Sequence, residues 1–130
     1  MTDVHLLLVA ALLTWFSLML ASGLRSSTAG MQFNFGNRDE QPPLSPLAGR
    51  ADRAAKNLLE NLPLFIAVMV AARFAGASSD AIVPGAHVFV WARVLYLGVY
   101  LLGVPYLRTA VFGVSLLGIF MIATAALGIG

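Results

Sequence analysis

The sequence predicts an all-α fold: an integral membrane four-helix bundle with antiparallel, up-down helices in a single domain over residues 1–130. Three observations carry this. Apolar residues make up 59% of the 130 and charged residues only 11%, against roughly a quarter charged in soluble domains. Four stretches come near the ~20 apolar residues that a spanning helix needs. Finally, only one long polar segment, 24–45, interrupts them, and no internal repeat divides the chain.

The first span covers about 4–23. Its apolar run into Ala21, Ser22 and Gly23 has the outline of a secretory signal, but such signals place basic residues ahead of the apolar core. Here Asp3 and His5 precede it and the first basic residue, Arg25, follows it, so it reads as a retained helix with its N-terminus outside. Segment 24–45 is rich in Gly, Asn, Gln, Ser and Pro and reads as a loop. The second span, about 47–74, starts after Ser45 and Pro46, a side-chain cap followed by a residue suited to a first helical turn. Pro63 inside it removes a hydrogen bond to the Leu59 carbonyl and predicts a kink. The third span, about 86–104, and the fourth, about 107–127, are joined by a turn around Pro105, so short a link that they are antiparallel neighbours.

Arg25, Arg38, Arg50, Arg53 and Lys56 lie in or beside the first loop, Arg108 opens the fourth span on the same face, and only Arg73 approaches the other. Positive-inside bias therefore puts the loop in the cytoplasm and both termini outside. A net charge of +2, dispersed along the chain, gives no nucleic-acid surface. With no cysteine, any thiol chemistry must use a ligand's sulfur. His5 and His87 have no second ligand at metal spacing, so no metal site is expected.

Chemistry concentrates on the second span. Arg53, Asn57 and Glu60, spaced by four and three residues, share one helix face within two turns. Asn57 and Glu60 border an apolar run, where an unpaired charge costs about 2.5–3.5 kcal/mol. Glu60 needs a partner, and Arg93, at comparable depth in the third span, is the expected one; the alternative is that this pair only fixes helix register. Tyr100 follows Arg93 by seven residues on the same stripe, whereas Tyr96 and Tyr106 read as aromatic-belt residues. Arg108 and Thr109 open the fourth span, where free N–H groups and the positive helix end favour an anion. A thiol bound there would ionise more readily, although Arg108 also reads as a positive-inside anchor. Trp15 and Trp91 read as packing or lipid contacts, and Ala110, Gly113 and Gly118 as small residues for a helix interface.

The run GNRDEQPPLSPLAGRADRAAKNLLENLPLF, from Gly36 to Phe65, closely resembles bacterial members of the MAPEG family, the membrane-associated proteins in eicosanoid and glutathione metabolism. The Arg53-x-x-x-Asn57-x-x-Glu60-x-x-Pro63 signature, Arg93 and Tyr100, and Leu107-Arg108-Thr109 extend the resemblance over essentially the whole chain. It implies a homotrimer in a bacterial inner membrane, with glutathione as co-substrate between neighbouring subunits on the cytoplasmic side. By similarity Arg53, Asn57, Glu60 and Tyr100 would hold the tripeptide, Arg93 would support Glu60, and Arg108 would be the catalytic residue that holds sulfur as thiolate. Lys56 stands where some relatives carry a second Arg that contacts the ligand, and Thr109 joins the binding set. Phe112 stands where one eukaryotic member places a Tyr, and the Tyr100 to Arg108 interval differs by about one residue.

The implied function is a glutathione-dependent transferase or peroxidase that acts on lipophilic electrophiles from the bilayer. The alternative is a non-catalytic membrane binding module, or an accessory subunit of a larger membrane complex, since fold does not fix function. A proton or ion pathway through Glu60 and Arg93 ranks third, because beyond them the route offers only Arg73, Asp80 and His87 near its end.

Overall fold

The computed structural model describes residues 1–129. Its elements are α1 (Asp3–Ala29), α2 (Met31–Phe35), α3 (Pro46–Phe74), α4 (Ser79–Leu102) and α5 (Pro105–Ala126). All but α2 are long and apolar enough to cross a membrane.

Local chemistry explains the boundaries, including those that depart from the sequence expectation. α1 opens with a reciprocal cap in which the Thr2 hydroxyl accepts from the His5 N–H and the His5 ring accepts from the Thr2 N–H, both at 3.3 Å. It does not stop near Gly23 but runs six residues into the expected loop. The hydroxyls of Ser26, Ser27 and Thr28 donate back to the Ser22 and Leu24 carbonyls at 2.8–3.1 Å, and Arg25 is held by Asp52 of α3. α2 occupies a further part of that segment, leaving 36–45 irregular.

α3 starts at Pro46, with the Ser45 hydroxyl accepting from the Ala48 N–H at 3.2 Å, and continues as one helix with Pro63 inside it. α4 begins at Ser79, seven residues ahead of the expected Ala86, capped by Ser78. Pro84 and Gly85 both lie inside α4, where Ile82, Gly85 and Ala86 are buried. α4 ends on Gly103, whose left-handed φ of 76° lets its N–H reach the Tyr100 carbonyl at 3.0 Å. Arg50 of α3 donates to the adjacent Leu101 carbonyl at 3.1 Å, and α5 then starts at Pro105 rather than Leu107.

α3 and α4 form the centre, with α1 packed against both on one side and α5 against both on the other; α1 and α5 do not meet among the described residues. Small side chains bring the helices close. Ala48, Ala51, Ala54 and Ala55 are buried on α3. On α5, a Cβ at Gly118 would fall 2.6 Å from the Gly85 carbonyl oxygen of α4, so these two backbones touch. Of the other small residues expected at an interface, Gly113 borders open space and Ala110 is exposed. The main core gathers Leu6, Phe65, Ile82, Phe89 and Ile122, with Phe65 and Phe89 stacked at 4.1 Å. Trp15, Phe16, Leu95 and Phe120 point outward, the arrangement of a bundle whose solvent is lipid.

At one end of the bundle Asp3 is 1% exposed. Its carboxylate meets Arg73 through Nε at 2.6 Å and Nη2 at 3.1 Å, and accepts from Ser79 Oγ at 3.3 Å. One side chain thus joins the start of α1, the end of α3 and the start of α4.

Candidate functional site

The other end of the bundle carries the polar cluster. α3 supplies Arg53 and Asn57, α4 supplies Arg93, Tyr96 and Tyr100, and α5 supplies Arg108. Arg93 is 1% exposed and is the largest fully buried side chain. It donates to Asn57 Oδ1 at 2.8 Å and to the Asn57 carbonyl at 3.3 Å. Its guanidinium carbon sits 5.1–5.6 Å from the ring centroids of Tyr96, Phe112 and Phe89. Ring faces partly replace water around the cation, but Arg93 Nε has no hydrogen-bond partner among the described residues.

Tyr100 links the other two guanidiniums. Its hydroxyl accepts from Arg53 Nε at 3.1 Å, and Arg108 lies over its ring at 4.7 Å. Tyr96 packs edge-on against Tyr100, with centroids 5.5 Å apart. Among the described residues, none of Arg53, Arg93 and Arg108 forms a salt bridge. Three cations thus surround two phenols and an amide, a setting with an excess of positive field.

The expected Glu60–Arg93 pair is absent. The reason is rotational: at 100° per residue Arg53 and Glu60 differ by only about 20° around α3, while Asn57 stands some 40–60° to the side of both. The setting of α3 turns Asn57 toward α4, and Arg53 and Glu60 lie on its exposed face. Arg93 therefore meets the amide rather than the carboxylate.

Two other expected ligand residues stand apart from the cluster. Lys56 Nζ pairs with Asp52 at 3.0 Å. The Thr109 hydroxyl turns back to the Pro105 carbonyl at 3.4 Å. Tyr96, read from the sequence as an aromatic-belt residue, is instead buried under Arg93 and Tyr100, and its three-residue spacing from Arg93 was the available signal. Tyr106 is exposed, as a belt residue would be.

Sequence reasoning also missed Asp52, which joins Arg25 of α1 to Lys56 and whose four-residue spacing from Lys56 was visible. It missed Asn61 as well, whose side chain donates to the Asn57 carbonyl at 2.8 Å beside Arg93. No group of acidic or histidine side chains among the described residues is arranged to hold a metal.

The polar cluster sits where three of four apolar helices converge, and a family model built on such proteins, that of the MAPEG family, matches residues 4–128. The chain belongs to the MAPEG family. No curated protein and no solved structure matches it significantly. MAPEG membership, together with four helices of spanning length, makes it an integral, multi-pass membrane protein. Within this MAPEG chain, Arg93, Tyr96 and Tyr100 make the buried part of the cluster, Asn57 and Arg108 are half-buried, and Arg53 is exposed.

Proposed function

We propose that this MAPEG protein is a membrane-bound, glutathione-dependent transferase, with peroxidase chemistry available at the same site. It holds glutathione as the thiolate and presents it to lipophilic electrophiles that arrive through the bilayer. The observation that carries this reading is the gathering of Arg53, Arg93 and Arg108 around Tyr100 and Asn57 without a carboxylate between them. An anionic tripeptide supplies the missing charge.

Arg53, Asn57 and Tyr100 bind the peptide's charged and amide groups, and Lys56, Glu60 and Thr109 complete the pocket when ligand is present. Arg93 fixes Asn57, and Arg108 holds the sulfur. A guanidinium there favours thiolate over thiol, and the thiolate is the nucleophile. The thiol proton passes to water. The sulfur's electron pair forms the new C–S bond, and the displaced pair departs with the leaving group.

The same proposal includes a homotrimer of antiparallel, up-down four-helix bundles in a bacterial inner membrane, with both termini outside and the site facing the cytoplasm between subunits. The antiparallel setting is supported by Arg25, late in α1, meeting Asp52, early in α3, while Asp3 meets Arg73 at the other end. The trimer is supported by the exposed Arg53, Lys56 and Glu60 on one flank of α3. Charge left against lipid is costly, so that flank is better covered by a neighbouring chain.

The test is ultraviolet difference spectroscopy of purified protein with glutathione at neutral pH. A thiolate band is expected, and Arg108→Ala should abolish it. Absence of the band, or a band indifferent to that substitution, would overturn the reading. No glutathione binding at millimolar concentration would favour a non-catalytic module instead.

A further inference from the structure

The end of the bundle opposite the candidate site carries a second feature. A cavity of about 170 Å³ opens between α1 and α3, walled by Val4, Leu7, Met69, Val70 and Phe74, with the Asp3–Arg73 pair in its lining. From Met69 to Arg73 it follows α3 for about 6 Å. Val4, Val70 and Phe74 are exposed, so the groove opens on the apolar outer surface. The medium that meets this surface in a membrane is acyl chain.

Arg73 makes the groove more than an apolar slot. Asp3 occupies Nε and one Nη2 hydrogen, which leaves three of the five guanidinium N–H groups without a partner among the described residues. The side chain is about half exposed at the end of a spanning helix, the depth of lipid headgroups. Donors fixed there beside an apolar groove match a phosphodiester joined to an acyl chain.

We propose that this groove is a binding site for one phospholipid per chain, with its phosphate on the free edge of Arg73 and the first methylenes of one acyl chain between α1 and α3. The site is independent of the glutathione reading. Asp3 holds the guanidinium plane in place, so the phosphate meets donors that are already oriented.

Native mass spectrometry of the detergent-purified full chain tests this, with dioleoyl phosphatidylethanolamine, dioleoyl phosphatidylglycerol and, as a phosphate-free control, dioleoylglycerol. One phospholipid per chain should be retained in preference to dioleoylglycerol. Leu7→Trp fills the groove and should remove it; if that variant does not fold, Val70→Trp fills it from the opposite wall. The double substitution Asp3→Asn with Arg73→Gln removes both charges together, so neither is stranded, and should weaken phospholipid retention about fivefold. Equal retention of dioleoylglycerol, or unchanged retention in either variant, would overturn the proposal. A change of oligomer size in the groove-filling variant would also overturn it, since a second copy of the chain would then be what covers the groove.

Discussion

At the Asp3 end of the bundle a buried carboxylate closes on Arg73 and Ser79, whereas at the Arg53 end three guanidiniums meet across aromatic rings with no carboxylate of the described residues paired to them. Asp52, the nearby acid, is taken by Arg25 and Lys56, and Glu60 lies on the open flank of α3. The first arrangement satisfies its own charge and holds three helix ends together. The second leaves positive field and an unpartnered Arg93 N–H inside the fold, so it is suited to something the chain itself does not supply. Buried charge is therefore satisfied within the chain at one end and, on the proposed function, receptive at the other.

Breaking the closed pair should have the largest effect. Arg73→Met strands the Asp3 carboxylate, 1% exposed, against apolar neighbours. Removing one partner of a buried pair costs about 3–5 kcal/mol; the lower end applies here, since Arg73 is about half exposed and Ser79 still donates to Asp3. The check is the unfolding free energy in mixed micelles. A loss under about 1 kcal/mol, the range of an exposed pair, would show that this end is not closed in the way described.

How much of this was legible in the sequence depended on whether the cause was local. The spans followed from composition, and the start of α3 from Ser45 and Pro46, because hydropathy and capping act over a few residues. Spacing also singled out Arg53, Asn57 and Arg93, which the structure brings into one cluster. It could not tell whether Arg93 would reach Asn57 or Glu60, because that turns on a rotation of α3 fixed by its buried alanines against α1, α4 and α5. The Asp3–Arg73 pair was illegible for a related reason, its partners being 70 residues apart. The polar end of α1 read as loop because hydroxyl residues serve loops and helix surfaces alike, and only the contact of Arg25 with Asp52 distinguishes the two.

The closed end also has a packing counterpart. Gly118→Ala would drive a methyl to 2.6 Å from both the Gly85 carbonyl oxygen and the Phe89 nitrogen of α4, so the two helices must part. Overpacking of this kind costs about 1–3 kcal/mol. Gly113→Ala, on the same helix where a Cβ meets nothing within 4 Å, should be neutral or slightly stabilising. Equal thermal midpoints for the two variants would contradict the backbone contact.

At the receptive end the sign should reverse. Arg93→Met combined with Asn57→Leu removes a buried cation together with its acceptor. Replacing both partners by apolar groups of similar shape is nearly neutral, so stability should stay within about 1 kcal/mol. Glutathione affinity by calorimetry should nevertheless fall at least tenfold, about 1.4 kcal/mol. Strong destabilisation by this pair would mean that Arg93 is structural in the same sense as Arg73, and the contrast between the ends would disappear.

The smallest effect separates ligand contact from helix support within the receptive end. Arg53 lies on the exposed flank, and among the described residues the one hydrogen bond of its side chain goes from Nε to the Tyr100 hydroxyl. Arg53→Gln should lower the unfolding free energy by no more than about 0.5–1.5 kcal/mol, the contribution of a single part-buried hydrogen bond. Glutathione affinity should fall about fivefold, through lost charge at the peptide's carboxylates and a less firmly held Tyr100. Arg53→Lys distinguishes these two causes. It keeps the charge but not the directed Nε donor, so recovery of affinity assigns Arg53 to the ligand's charge, and no recovery assigns it to the orientation of Tyr100.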